Sequence, residues 1–136
     1  MRKFLLAAIL SLAAAGCQTA GTRYSRDDKS ERSMLRDQTI RLNGFYNLAR
    51  DCRLIGIPDV RIVSSTSGGQ LAGRTETGFP SFRDGTPQAA CNTRRSPARA
   101  VYYAPRPGFV GSDQVVFEVF WKDGEVWRET YTLTVR

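Results

Sequence analysis

Val115-Val116-Phe117-Glu118-Val119-Phe120-Trp121 runs into Lys122-Asp123-Gly124 and continues from Glu125 to Arg136. Branched and aromatic residues alternate with polar ones on both sides of an Asp-Gly turn signal, the pattern of a β-hairpin. Charge selects the register. A two-residue Asp-Gly loop would set Glu118 against Glu129, whereas a three-residue loop with Gly124 left-handed sets Glu118 against Arg128, and opposite charges across a strand pair are favoured. The second register places Val115, Phe117 and Val119 on one face with Trp127, Tyr131, Leu133 and Val135, and turns Thr130, Thr132 and Thr134 outward. Glu129 is then a misfit on an apolar face. Phe120 falls on the outward face with Val126 opposite it, where it packs under a loop or the preceding segment or else binds a partner.

Upstream, residues 60–63 and 99–103 read as two more strands and residues 70–75 as another, with Gly and Pro as punctuation between them. No strong helical pattern follows Phe45. At least five strands over residues 45–136 predict an all-β domain, a two-sheet sandwich small enough to bury only ~60–65% of its unfolded surface.

The segment from Tyr103 to Phe117 resembles the Tyr-x-Pro-x-x-Gly-Phe-x-Gly-x-Asp stretch of bacterial immunoglobulin-like, cadherin-like domains, with Tyr103, Pro105, Gly108, Phe109, Gly111 and Asp113 in order and spacing. The resemblance implies an immunoglobulin-like β-sandwich. The chemistry is consistent: Pro105 and Pro107 withhold backbone donors and end a strand, Gly108 and Gly111 permit tight turning, Phe109 can plug one end of the sandwich, and Asp113 can accept backbone hydrogen bonds. Val115 departs from the family, which carries an aromatic there. Such domains serve as spacers, adhesins, enzyme accessories and ligand binders, so the resemblance bears on fold more than on function.

Met1, Arg2 and Lys3 precede the apolar run from Phe4 to Leu12 and the small residues up to Gly16, as in a secretory signal peptide too short to span a bilayer. Leu12-Ala13-Ala14-Ala15-Gly16-Cys17 resembles the lipobox of bacterial lipoproteins, in which the cysteine is acylated and becomes the mature N-terminus. That resemblance implies a signal peptide over residues 1–16, membrane lipid attached through Cys17, and, with Gln18 rather than aspartate next, the outer membrane. Multiple acyl chains anchor a protein stably without a transmembrane helix. Removing Arg2 and Lys3 takes the formal charge from +7 to +5. Residues 17–44 then read as the lipidated end and a polar tether, since their charges alternate in sign and their few apolar residues form no stripe. A short amphipathic helix over residues 30–42 is the lesser alternative.

With Cys17 assigned to lipid, Cys52 and Cys91 are left to pair in an oxidising compartment, a staple worth about 3–4 kcal/mol by chain entropy. A metal site finds no support: the chain has no histidine and no Cys-x-x-Cys spacing. Calcium at Asp113 lacks a second clustered carboxylate. No cofactor is expected.

The absence of histidine also removes imidazole bases and Ser-His or Cys-His nucleophile pairs. The serine run at residues 64–67 therefore reads as a flexible turn, and carboxylate-pair chemistry from Asp51, Asp59, Asp84 or Glu76 has no positive support. Arg94, Arg95, Arg99 and Arg106 cluster beside Cys91 in sequence and predict either an anion-binding patch for lipopolysaccharide, peptidoglycan or an acidic protein, or merely a solvated loop in an arginine-rich chain. Nucleic acid is a poor partner for an exported protein. The expectation is a non-enzymatic outer-membrane lipoprotein whose sandwich binds an envelope polysaccharide or protein. The alternative is an inhibitor of an exported or host hydrolase, acting through residues 79–97.

Overall fold

The computed structural model describes residues 23–64 and 66–136. In the C-terminal hairpin, β6 (Gly111–Phe120) and β7 (Val126–Val135) pair antiparallel in the charge-selected register, with Glu118 opposite Arg128 and Phe120 opposite Val126. Trp121 and Glu125 close the loop, Trp121 donating its backbone N–H to the Glu125 carbonyl at 2.9 Å. Gly124 sits between them at φ +91°, a conformation that costs glycine little and other residues more.

Five further strands complete two sheets among the described residues: β1 (Arg26–Met34), β2 (Ile40–Phe45), β3 (Asp59–Ile62), β4 (Gly69–Gly78) and β5 (Ser96–Pro105). One sheet has the order β1-β7-β6-β3 and the other β2-β5-β4. Read from β2 to β7 as strands B to G, the sheets are B-E-D and C-F-G, the order of an immunoglobulin-type sandwich, with β1 added parallel to the last strand. The hairpin supplies the core face expected of it, Val115, Phe117, Val119, Tyr131, Leu133 and Val135, with Trp127 only partly buried, and Phe45, Val101 and Tyr103 meet it from the other sheet. Phe117 and Tyr131 stack at 5.9 Å between ring centroids, and Phe45 meets Phe117 edge-on at 6.1 Å.

Residues 26–45 are not a tether. They supply β1 and β2, so the sandwich starts at Arg26 rather than at Phe45, and no helix forms over residues 30–42. Apolar periodicity misses these strands for two physical reasons. β1 is an edge strand held by backbone pairing to β7, and Met34 is its one buried residue. In β2 a bulge between Arg41 and Asn43 puts the buried residues Leu42 and Phe45 three positions apart instead of two.

The Tyr103 to Asp113 segment links β5 to β6. The Tyr103 hydroxyl donates to Asp113 Oδ2 at 2.7 Å, and the same carboxylate accepts the backbone N–H of Gly68 at 3.2 Å and of Gln114 at 3.0 Å. Phe109 packs against that end of the core. A Cβ on Gly68 would lie 2.6 Å from the Phe109 ring and 2.8 Å from the Asp113 carboxylate, so this close approach also requires glycine. Val115, the departure from the family pattern, is fully buried.

Cys52 and Cys91 form a disulfide, with Cα atoms 5.4 Å apart. It ties the β2–β3 loop to a 3-10 helix (Ala89–Thr93) in the β4–β5 loop, and with Tyr46, Leu48 and Ala98 it builds a second small core. Residues 1–22, including Cys17 and the expected signal peptide, lie outside the described residues. Among the described residues no helix is long and apolar enough to cross a membrane.

Candidate functional site

β1 reads Arg26-Asp27-Asp28-Lys29-Ser30-Glu31-Arg32 before its first buried residue. Such a strand has nothing to bury against β2, the facing edge of the other sheet. The two edges enclose an open cleft of about 880 Å³, roofed by residues from the β4–β5 loop such as Phe82, Arg83 and Gln88. Arg26, Asp28, Ser30 and Arg32 border it from β1, Asn43, Phe45 and Tyr46 from β2 and the residues after it, and Trp127, Glu129 and Tyr131 from β7.

Glu129 is the buried charge of this cleft, 4% exposed, and it is the residue whose position on the apolar face the sequence marks as anomalous. Burial pushes its carboxyl up to about 7, Asp28 opposite it in register pushes the same way, and Arg26 and the Tyr131 hydroxyl oppose them more weakly. Tyr131 is pushed up to about 12, by burial first and then by the Glu129 charge, and its hydroxyl donates to the Leu42 carbonyl at 3.4 Å. Arg26 pairs with Asp28 and lies 4.7 Å above the Trp127 ring, and Arg32 lies 5.8 Å above Tyr131. Trp127 packs on Trp121 at 4.4 Å between centroids and donates its indole N–H to Glu125 at 3.0 Å, while the Trp121 indole N–H is buried without an acceptor. Three arginines, Arg26, Arg32 and Arg83, border the cleft against the carboxyls of Asp28 and Glu129, while Lys29, opposite Thr130, faces the outer side. A cavity with aromatic walls, convergent polar groups and a displaced carboxyl has the makings of a ligand site.

The arginines grouped in sequence are not grouped in space. Arg94 and Arg95 precede β5 and Arg106 follows it, so the length of that strand, roughly 30 Å, separates them. Arg95 donates to the Thr77 carbonyl at 3.0 Å, and Arg106 lies over the Phe109 ring at 5.3 Å. Arg99 turns inward, donating to the Pro58 carbonyl at 3.3 Å with Asp59 at 3.9 Å. The expected patch of Arg94, Arg95, Arg99 and Arg106 is thus corrected: Arg95, Arg99 and Arg106 make separate local contacts, and Arg94 stays exposed after the 3-10 helix. The basic residues that converge are those of β1, which sequence reasoning assigned to a tether. Their alternation at Arg26, Asp28, Ser30 and Arg32 is the signal that a strand assignment would have exposed.

A second buried carboxylate has a structural part. Glu118, 2% exposed on the outer face, accepts the Tyr24 hydroxyl at 2.5 Å and the Arg61 guanidinium, whose Nε lies at 3.0 Å. Burial raises its carboxyl, but the Tyr24 and Arg61 bonds outweigh that and hold it below the ordinary glutamate value. Arg61 also covers Phe120, 5.2 Å from its ring centroid. Among the described residues no group of three or more Cys, Asp or Glu side chains converges in a way that could hold a metal ion.

No family model matches the chain, and no curated protein matches it. Among solved structures, a 2,6-sialyltransferase of Vibrionaceae Photobacterium sp. JT-ISH-224, in a ternary complex with the donor product CMP and the acceptor substrate lactose, is similar at 10% identity and a TM-score of 0.33. The likeness covers 84% of this chain and 18% of that one, and it is too slight to bear on fold or activity. What the described residues define is a two-sheet all-β sandwich with a polar and aromatic cleft along one open side.

Proposed function

We propose that the chain is a non-enzymatic lipoprotein of the bacterial envelope, held at the outer membrane through acylated Cys17, whose sandwich binds an anionic glycan in the β1–β2 cleft. The lipobox-like residues 12–17 support the anchor. The observation that carries the binding reading is the convergence of Arg26, Arg32 and Arg83 on one cleft lined by Trp127, Tyr131 and Tyr46. Guanidinium forks take carboxylates or phosphates in paired hydrogen bonds, and the Glu129 carboxyl, raised to about 7 by burial, can donate to or accept from a hydroxyl according to its protonation. Peptidoglycan has this chemistry. The full-length protein in detergent should co-sediment with purified peptidoglycan, and Arg32→Glu and Trp127→Ala should release it, with binding falling as salt rises. Retention of both variants on the glycan, or cleavage of the glycan, contradicts the reading.

A second reading, inhibition of an exported or host hydrolase by residues 79–97, is supported by how that loop is held. Asn92 accepts the Phe82 N–H at 2.8 Å and donates to its carbonyl at 2.9 Å, beside the disulfide. A loop already ordered loses little freedom on insertion into a partner. Saturable loss of lysozyme or protease activity on adding the protein favours this reading over the first.

A further inference from the structure

β4 is a ten-residue edge strand with no proline and, among the described residues, no strand on its outer side. Its register with β5 sets Gly69 opposite Pro105, and Arg106 donates its N–H to the Gly68 carbonyl at 2.8 Å. The 68:106 pair is therefore a hydrogen-bonded one, and the alternation of an antiparallel ladder makes the even residues of β4 face β5. Pro97 and Pro105 both sit opposite odd residues, where β4 needs no donor from them. The backbone N–H and C=O groups of Leu71, Gly73, Thr75 and Thr77 consequently point out along a free edge. An arginine has already found one of them, the Thr77 carbonyl.

Natural sheet edges are usually blunted by a central charge, a proline or a bulge. β4 carries only Arg74, which lies 5.0 Å over the Tyr102 ring, and Glu76, whose carboxylate already accepts Arg41 at 2.7 Å and the Tyr102 hydroxyl at 2.5 Å but keeps lone pairs for a further donor, and the two are of opposite sign. When two copies of a strand pair antiparallel about a twofold axis normal to the sheet, residues of equal parity face each other. An axis at Arg74 would set arginine on arginine, and one at Glu76 would set glutamate on glutamate. An axis at Thr75 sets Arg74 opposite Glu76 of the partner on the outer face, twice by symmetry. The same register brings Phe79, 59% exposed at the end of β4, opposite Leu71 of the partner on the inner face.

We infer that β4 is a self-association edge: two copies of this chain pair antiparallel through β4 about Thr75, joining their three-stranded sheets into one continuous sheet. Residues 73, 75 and 77 exchange about six backbone hydrogen bonds across the seam. This surface is separate from the β1–β2 cleft and does not depend on what the cleft binds. A second copy is the occupant that charge and Phe79 specify, since an unrelated extended peptide would have no reason to match Arg74, Glu76 and Leu71 at those spacings.

The test is the oligomeric mass of the full-length protein in detergent, by sedimentation equilibrium over a range of concentrations. A monomer–dimer equilibrium is expected. Thr75→Pro should yield monomer with unchanged circular dichroism, because the N–H it removes belongs to the free edge. Arg74→Glu should weaken the dimer about tenfold, by setting like charges face to face, and Arg74→Gln should weaken it less. A monomeric wild type, a dimer untouched by Thr75→Pro, or a dimer as tight with Arg74→Glu as without it overturns the inference. So does a Thr75→Pro chain that loses its strand signal, since an outward N–H cannot be needed for the fold.

Discussion

Asp28 and Glu129 stand opposite one another on parallel strands β1 and β7, and the glutamate is buried where the aspartate is half-exposed. An edge strand with nothing apolar to offer leaves the sandwich open, and the carboxyl behind it is kept from water without an ion pair of its own. That pair explains both the cleft and its chemistry.

The pH dependence follows. Because folding raises the Glu129 carboxyl to about 7, the folded chain binds a proton that the unfolded chain releases near the ordinary glutamate value. The contribution of Glu129 to stability is full at acid pH, declines as pH rises between the two values, and stays low above the upper one, while Glu118, held below its ordinary value, contributes with the opposite sign. Glu129→Gln removes the decline. It should gain on the order of 2 kcal/mol over wild type at pH 8 and nothing comparable at pH 4, as urea unfolding at the two pH values would show. A Glu129→Gln chain whose stability relative to wild type is the same at pH 4 and pH 8 contradicts the assignment.

Asp113 is the acceptor that fastens the two sheets at the end opposite the cleft loops. Asp113→Ala orphans the Tyr103 hydroxyl and the Gly68 N–H in a buried site, and should cost about 2–4 kcal/mol. Tyr103→Phe removes one donor and leaves an acceptor that Gly68 and Gln114 still satisfy, so the loss should be nearer 1 kcal/mol. Thermal melts that rank the two the other way would place the anchor elsewhere.

Reduction of Cys52–Cys91 should lower stability by about 3–4 kcal/mol and loosen the β4–β5 loop that roofs the cleft. Glycan binding should weaken with it, because the walls lose their fixed spacing. Proteolysis within residues 79–95 of the reduced but still folded protein checks the loosening, and an equally resistant loop would show the second core to be sufficient alone.

What the residues disclose in advance depends on what holds each element. The β6–β7 hairpin is held by side-chain alternation and one cross-strand charge pair, both visible in order along the chain, so its register and the anomaly of Glu129 were legible. At the β5–β6 turn the acceptor role of Asp113 was legible from side-chain chemistry, and the bonds from Gly68 and Gln114 show it. β1 is held by backbone bonds to a strand about a hundred residues away, and such bonds leave no trace in composition. β2 hid its alternation behind a bulge. The arginine grouping failed because nearness along an extended strand is distance in space. The cleft itself was illegible for the reason β1 was, since it exists only once a polar segment is known to be a strand.

Glycan binding in the β1–β2 cleft is tested most directly by amide chemical-shift mapping of the isotopically labelled full-length protein in detergent as soluble peptidoglycan fragments are added. Saturable shifts are expected in β1, in residues 43–48, in residues 81–88 and at the Trp127 and Glu129 amides of β7, all of them abolished by Arg32→Glu. Shifts confined to the opposite end of the sandwich, around residues 106–112, or no shift at saturating fragment, would contradict it.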